Sequence, residues 1–105
     1  MAKRKKNEIS PSLKARDYKV GEIPIDEGRI VSIKDIETKY GDRSVITVDT
    51  TGGSKDIFLN DFSLNLLIDK FGDEDEDWIG KKITTKVEED KTFKNRMIIV
   101  YPKGD

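Results

Sequence analysis

Five short stretches of this chain alternate apolar and polar residues, and one stretch between them changes period. Gly28 to Thr38 (GRIVSIKDIET) carries Ile30, Val31, Ile33 and Ile36. Its apolar phase slips between 31 and 33 and again by 36, which predicts a long strand that bends or bulges and serves two sheets. Ser44 to Thr50 (SVITVDT) predicts a second strand and Lys55 to Asn60 a third, in which Ile57 and Leu59 share one side and Phe58 takes the other. Lys82 to Glu88 predicts a fourth, with Ile83, Thr85 and Val87 on one face. Arg96 to Tyr101 predicts a fifth, ended by Pro102. Turns are expected at Lys39-Tyr40-Gly41-Asp42 and Thr51-Gly52-Gly53-Ser54, and a loop at Asp90 to Asn95. Between the third and fourth strands, Leu64, Leu67, Ile68 and Phe71 fall at helical spacing, with Ser63, Asn65, Asp69 and Lys70 off that face. A helix over about 61–72 follows, capped by Asn60 or Asp61 and stopped at Gly72.

The order β-β-β-α-β-β matches the OB-fold, a five-stranded Greek-key barrel. The expected class is therefore all-β with one helix between strands 3 and 4, which plugs the open end of the barrel. An SH3-like barrel is the nearest rival, but it does not normally carry a full helix there. The helix face should pack on Ile30, Ile46, Val48, Ile83 and Val87. Residues 11–105 read as one domain. Its lead-in, Ser12 to Ile25, is punctuated by Pro11, Gly21 and Pro24 and should pack Leu13, Tyr18 and Val20 on the rest. Residues 1–10 read as a disordered basic arm, either a solubilising tail or a contact to phosphate; KRKK is also a short match to a nuclear address.

Length and composition narrow the chemistry. With 105 residues, 34% hydrophobic and 39% charged, the chain supports one small, heavily solvated domain. It has no Cys and no His, which removes disulfides, thiolate metal sites and the commonest general base. No SxxK, GxSxG or GxxxxGK[ST] pattern occurs. The acidic run Asp73 to Asp77 lacks the Gly and terminal Glu of a calcium loop and reads as a solvated spacer, with Lys81 and Lys82 as its counterbalance. Neither catalytic residues, nor a metal, nor a cofactor is expected. No apolar run reaches membrane-spanning length and no signal peptide is visible, so a cytoplasmic protein without membrane partners is expected. Trp78, just past the acids, should pin the connection from the helix to strand 4.

The segments SLKARDYKVGE, ETKYGDRSVITVD, FLNDFSLNLLIDKFGDEDEDWIGKKI and RMIIVYP, in this order over about residues 12–102, resemble the short OB-fold proteins of phage and archaeal replication modules. Many members of that group are regarded as single-stranded-DNA-binding. The resemblance implies a non-enzymatic role in replication or repair, with other replication proteins as further partners. The basic arm lies outside it.

In OB-folds the ligand surface crosses strands 2 and 3 between two loops. Both loops here set one aromatic ring among cations: Lys39, Tyr40 and Arg43 in the first, Lys91, Phe93, Lys94 and Arg96 in the second. Bases need flat apolar platforms and phosphates need Lys or Arg, so the pattern points to single-stranded nucleic acid, DNA first and RNA as well. Tyr40 reads as a stacking ring or a rim cover, Phe93 as a stacking ring, and Phe58 as a third platform or as a side chain under the lead-in. The competing readings are an OB-fold protein-interaction domain, docking by the acidic segment or the basic arm, and an accessory domain of a larger replication complex.

Overall fold

The computed structural model describes residues 12–39, 41–92 and 94–104. They form five strands and one long helix: β1 (Gly28–Thr38), β2 (Gly41–Thr50), β3 (Gly53–Phe58), α1 (Asp61–Phe71), β4 (Lys82–Glu89) and β5 (Arg96–Pro102). The strands make one antiparallel sheet in the order β3-β2-β1-β4-β5. No β3–β5 ladder closes it, so the sheet is open where a barrel would have its seam.

The first phase slip in β1 is a bulge within a single sheet; β1 does not serve two sheets, and beyond the bulge its pairing with β2 stays in register through Ile36. The register with β2 shifts between Ile30 and Ser32, leaving Val31 out of the ladder and exposed. Before the bulge, Gly28 and Arg29 pair with Ile83 and Lys82 of β4; after it, β1 pairs with β2 alone. Gly28 also meets a steric need, because a Cβ there would lie 3.2 Å from Ile25 Cγ2. From that junction β1 runs to Thr38 in one direction and β4 to Glu89 in the other, so the two hairpins are strongly staggered.

Both hairpins that flank β2 close by one device. Thr38 and Thr50 each donate a hydroxyl hydrogen bond to the carbonyl of the glycine three residues on, Gly41 at 2.6 Å and Gly53 at 2.7 Å. Each glycine has φ of +109°, a backbone that side chains disfavour. This Thr-x-x-Gly closure is tighter than the expected four-residue turns. β2 therefore starts at Gly41 rather than Ser44, and Asp42 and Arg43 are strand residues; β3 starts at Gly53 and ends at Phe58, not Asn60.

Helix α1 begins where Asn60 caps it, accepting the Ser63 N–H at 2.8 Å, and ends at Gly72, whose N–H bonds Ile68. Leu67 is fully buried, while Leu64, Ile68 and Phe71 are half-buried against the same core of Ile30, Ile46, Val48, Ile57, Ile83 and Val100. Val87 is buried but lies outside that cluster. Ser63, expected off the apolar face, is fully buried instead, because its Oγ accepts the Val100 N–H at 2.9 Å. Asn60 Nδ2 donates to the Ile98 carbonyl at 3.2 Å. The free edge of β5 is thus satisfied by two side chains at the start of α1, in place of a fifth ladder.

The lead-in is a second substitute for sheet pairing. Leu13 N–H bonds the Asp56 carbonyl on β3, while Gly21, Glu22 and Ile25 exchange backbone bonds with Val87 and Thr85 on β4. Ile25, with its N–H on Thr85 Oγ1 at 2.9 Å, is the buried anchor. Leu13 and Tyr18 are half-buried, but Val20 is 52% exposed, against expectation. Trp78 is buried and donates its Nε1–H to the Gly72 carbonyl at 2.7 Å, pinning the end of α1 to the start of β4. Among the described residues no helix is long and apolar enough to cross a membrane.

Candidate nucleic-acid interface

Side-chain parity decides what β1, β2 and β3 show to solvent. The cross-strand pairs Ile33–Ile46 and Ile46–Ile57 form the inner face, so Lys34, Val45 and Phe58, paired in the same way one residue along, share the opposite face, where Lys34 and Phe58 are exposed and Val45 is buried. Phe58 is 42% exposed there, while its neighbours Ile57 and Leu59 are buried. Arg43, two residues before Val45 and opposite Ile36, stands on the same face and is exposed. Lys34 and Ile36 are members that loop reasoning passes over; their signal is the parity of β1 after its bulge. The face also carries two acids, Asp49, which is exposed and accepts the Ser54 hydroxyl at 2.6 Å, and Asp56, which is buried. Its carboxylate accepts the Thr47 hydroxyl at 2.6 Å and lies 4.0 Å from Lys34 Nζ, so it is compensated within the sheet.

Thr38 already pairs with Gly41, so Asp42 and Arg43 of the first loop belong to β2. Lys39 is exposed and engaged in an interaction; Tyr40 lies outside the described residues.

The second loop is folded on Asp90. Thr92 N–H donates to Asp90 Oδ1 at 2.8 Å, Lys94 N–H to the Asp90 carbonyl at 2.6 Å and Asp90 N–H to the Asn95 carbonyl at 2.7 Å. This closure holds Lys94 at φ 56°, a left-handed backbone that costs a non-glycine residue roughly 1–2 kcal/mol. Lys91 and Lys94 are exposed, and Phe93 lies outside the described residues. Arg96 is exposed and donates one guanidinium N–H to the Tyr18 carbonyl at 3.0 Å, which ties the loop to the lead-in. Between them is a shallow cleft of about 350 Å³ lined by Arg16, Lys94, Asn95 and Arg96. Arg16 enters from the short 3-10 turn Ala15–Asp17, a contribution that no local pattern announces.

The geometry gathers the predicted residues into two groups rather than one. Arg43 and Phe58 share the outer sheet face, with Lys39 at the tip of the same hairpin; Lys91, Lys94 and Arg96 sit at the tip of the β4–β5 hairpin. The Asn60–Ile98 bond brings the end of β3 beside β5, which runs in the same direction.

Among the described residues no group of acidic side chains has the arrangement to hold a metal ion. No model of a known protein family matches this chain, and neither does any curated protein.

Proposed function

We propose that this domain is an OB-type, non-enzymatic module that binds single-stranded nucleic acid, DNA in the first place, by stacking bases on aromatic rings and pairing phosphates with cations. The observation that carries the reading is Phe58, a large ring left 42% exposed on a sheet face that also presents Arg43 and Lys34. Exposed rings beside cations are the two components of sequence-tolerant single-strand recognition. The strand order supports it: β3-β2-β1-β4-β5 with a helix between β3 and β4 is the OB order opened at its β3–β5 seam. The basic cleft of Arg16, Lys94 and Arg96 across that seam adds a place for backbone phosphate. Tyr40 and Phe93 belong to the proposal as further platforms, and a cytoplasmic role beside other replication proteins belongs to it as well.

The test uses a fluorescent oligo-dT, with duplex as comparison, across a salt series. Phe58→Ala removes a contact that salt does not screen. It should weaken binding by about 1–3 kcal/mol with the slope nearly unchanged. Arg43→Ala removes a phosphate contact and should flatten the slope by roughly 0.7. Equal binding of single strand and duplex, or a Phe58→Ala protein that binds like the parent, would sink the proposal.

One observation favours a second reading. Phe62, 56% exposed in the first turn of α1, lies close in sequence to Phe58, and two exposed rings at one junction also suit a protein partner. A loss of partner binding without a loss of oligo-dT binding in Phe58→Ala would favour it.

A further inference from the structure

At the end of the β4–β5 hairpin opposite its tip lies a second cleft, of about 190 Å³, lined by Lys70, Phe71, Lys81, Lys82, Lys103 and Gly104. Four lysines line it, and among the described residues no acidic residue does. Each lysine stands on a fixed backbone. Lys81 donates its N–H to Trp78 and accepts from Ile30, each at 3.0 Å, and Lys103 N–H bonds the Lys82 carbonyl at 2.9 Å. Lys70 is in the last turn of α1, where the carbonyl end favours a cation. Lys103 also has local counter-charge, with Nζ 3.6 Å from Asp26 and 3.8 Å from Glu27. Among the described residues, Lys70, Lys81 and Lys82 form no ion pair, and the exposed acids of Asp73 to Asp77 do not reach them.

We propose that this cleft is a phosphate-binding site, taking oligophosphate or the phosphodiester backbone of a single strand. Its use by a strand rests on the proposed function; its affinity for phosphate does not. Three clustered lysines without ion pairs, Lys70, Lys81 and Lys82, stand on a fixed backbone and hold an anion without having to be drawn together first, and a phosphate has enough oxygens to accept from several ammonium groups at once. Phe71, half-buried, supplies an apolar wall. Lys82 and Lys103 lie seven residue steps along the hairpin from the Glu89–Arg96 pair, about 23 Å at ~3.3 Å per residue. An extended strand engaging both would span the length of β4–β5.

Inorganic tripolyphosphate is the probe, followed by amide NMR on the full chain, with sulfate at equal ionic strength as control. The expected result is a saturable shift of the Lys70, Lys81, Lys82 and Lys103 signals that sulfate does not reproduce. Lys70 and Lys81 are exposed, so the double variant Lys70→Ala, Lys81→Ala should keep the parent's melting temperature and bind tripolyphosphate about tenfold more weakly. No saturable shift at these residues, or equal affinity in parent and variant, would overturn the site. If the variant loses stability, Lys70→Gln and Lys81→Gln singly must each weaken binding, or the site falls. Oligo-dT then separates the two proposals. Tripolyphosphate binding without oligo-dT binding keeps the cleft and removes the nucleic-acid function. Oligo-dT binding that the double variant leaves unchanged shows that the strand does not pass through the cleft.

Discussion

Two side chains show how much one polar atom decides in so small a domain. Ser63 Oγ is the acceptor for the buried Val100 N–H, at 2.9 Å. Ser63→Ala strands that amide in the core and should cost about 1–3 kcal/mol, read from urea unfolding. A variant as stable as the parent would mean that β5 finds another partner. Tyr101 donates its hydroxyl to Glu88, and because Thr84–Tyr101, Lys86–Ile99 and Glu88–Met97 share one face, that bond crosses over the buried Ile99. Burial first, then the bond to Glu88 and its charge, raise the phenol from 10.0 to about 12. The folded protein thus holds this proton more tightly than the unfolded chain. The contribution is complete below pH 10.0 and is lost as pH rises towards about 12. Glu88→Gln should lower the Tyr101 titration, followed by tyrosinate absorbance, and shrink the stability lost over that window. An unchanged titration would show that Glu88 does not hold the hydroxyl in solution.

At the scale of elements, α1 covers both the core and the edge of β5. Its apolar face was written at i, i+3, i+4 and i+7 and lands on the core, with Leu67 at its centre. Leu67→Ala should cost about 2–5 kcal/mol in denaturant unfolding, because the rigid sheet beneath it cannot collapse into the space. A cost near zero would place the helix elsewhere in solution. The bulge at Val31 was legible too, since a bulge is a change of apolar phase and phase is a property of sequence. Strand ends were less legible. The Thr-x-x-Gly closures of both hairpins depend on hydroxyl-to-carbonyl bonds that form only once the strands meet.

For the whole molecule, charge is arranged by region rather than by total. The net charge is −1, yet cations line a cleft at each end of β4–β5, and the acids of Asp73 to Asp77 are exposed beyond α1. Those acids lean on no described partner that the fold requires. Neutralising them to Asn and Gln should leave the unfolding free energy within about 1 kcal/mol of the parent's and oligo-dT binding unchanged or slightly tighter. A marked loss of binding, or a calcium-dependent rise in melting temperature of the parent, would identify the segment as a site.

The sequence by itself determined the order of the five strands and the helix, a bend or bulge in β1, a helix cap at Asn60 or Asp61, and the structural role of Trp78. Each of these rests on local periodicity or on polar groups a few residues apart, such as Asn60 with Ser63 or Trp78 with Gly72. Tertiary structure alone decided the rest: Ile25 as anchor in place of Val20, Ser63 turned inward, Arg96 tied to Tyr18, and Lys81 and Lys82 gathered with Lys70 and Lys103. These join residues up to 78 positions apart, as with Tyr18 and Arg96, and no local pattern encodes which distant backbone group will need a partner. That depends on how the staggered hairpins wrap, and on the open seam between β3 and β5 that the lead-in and α1 are left to fill.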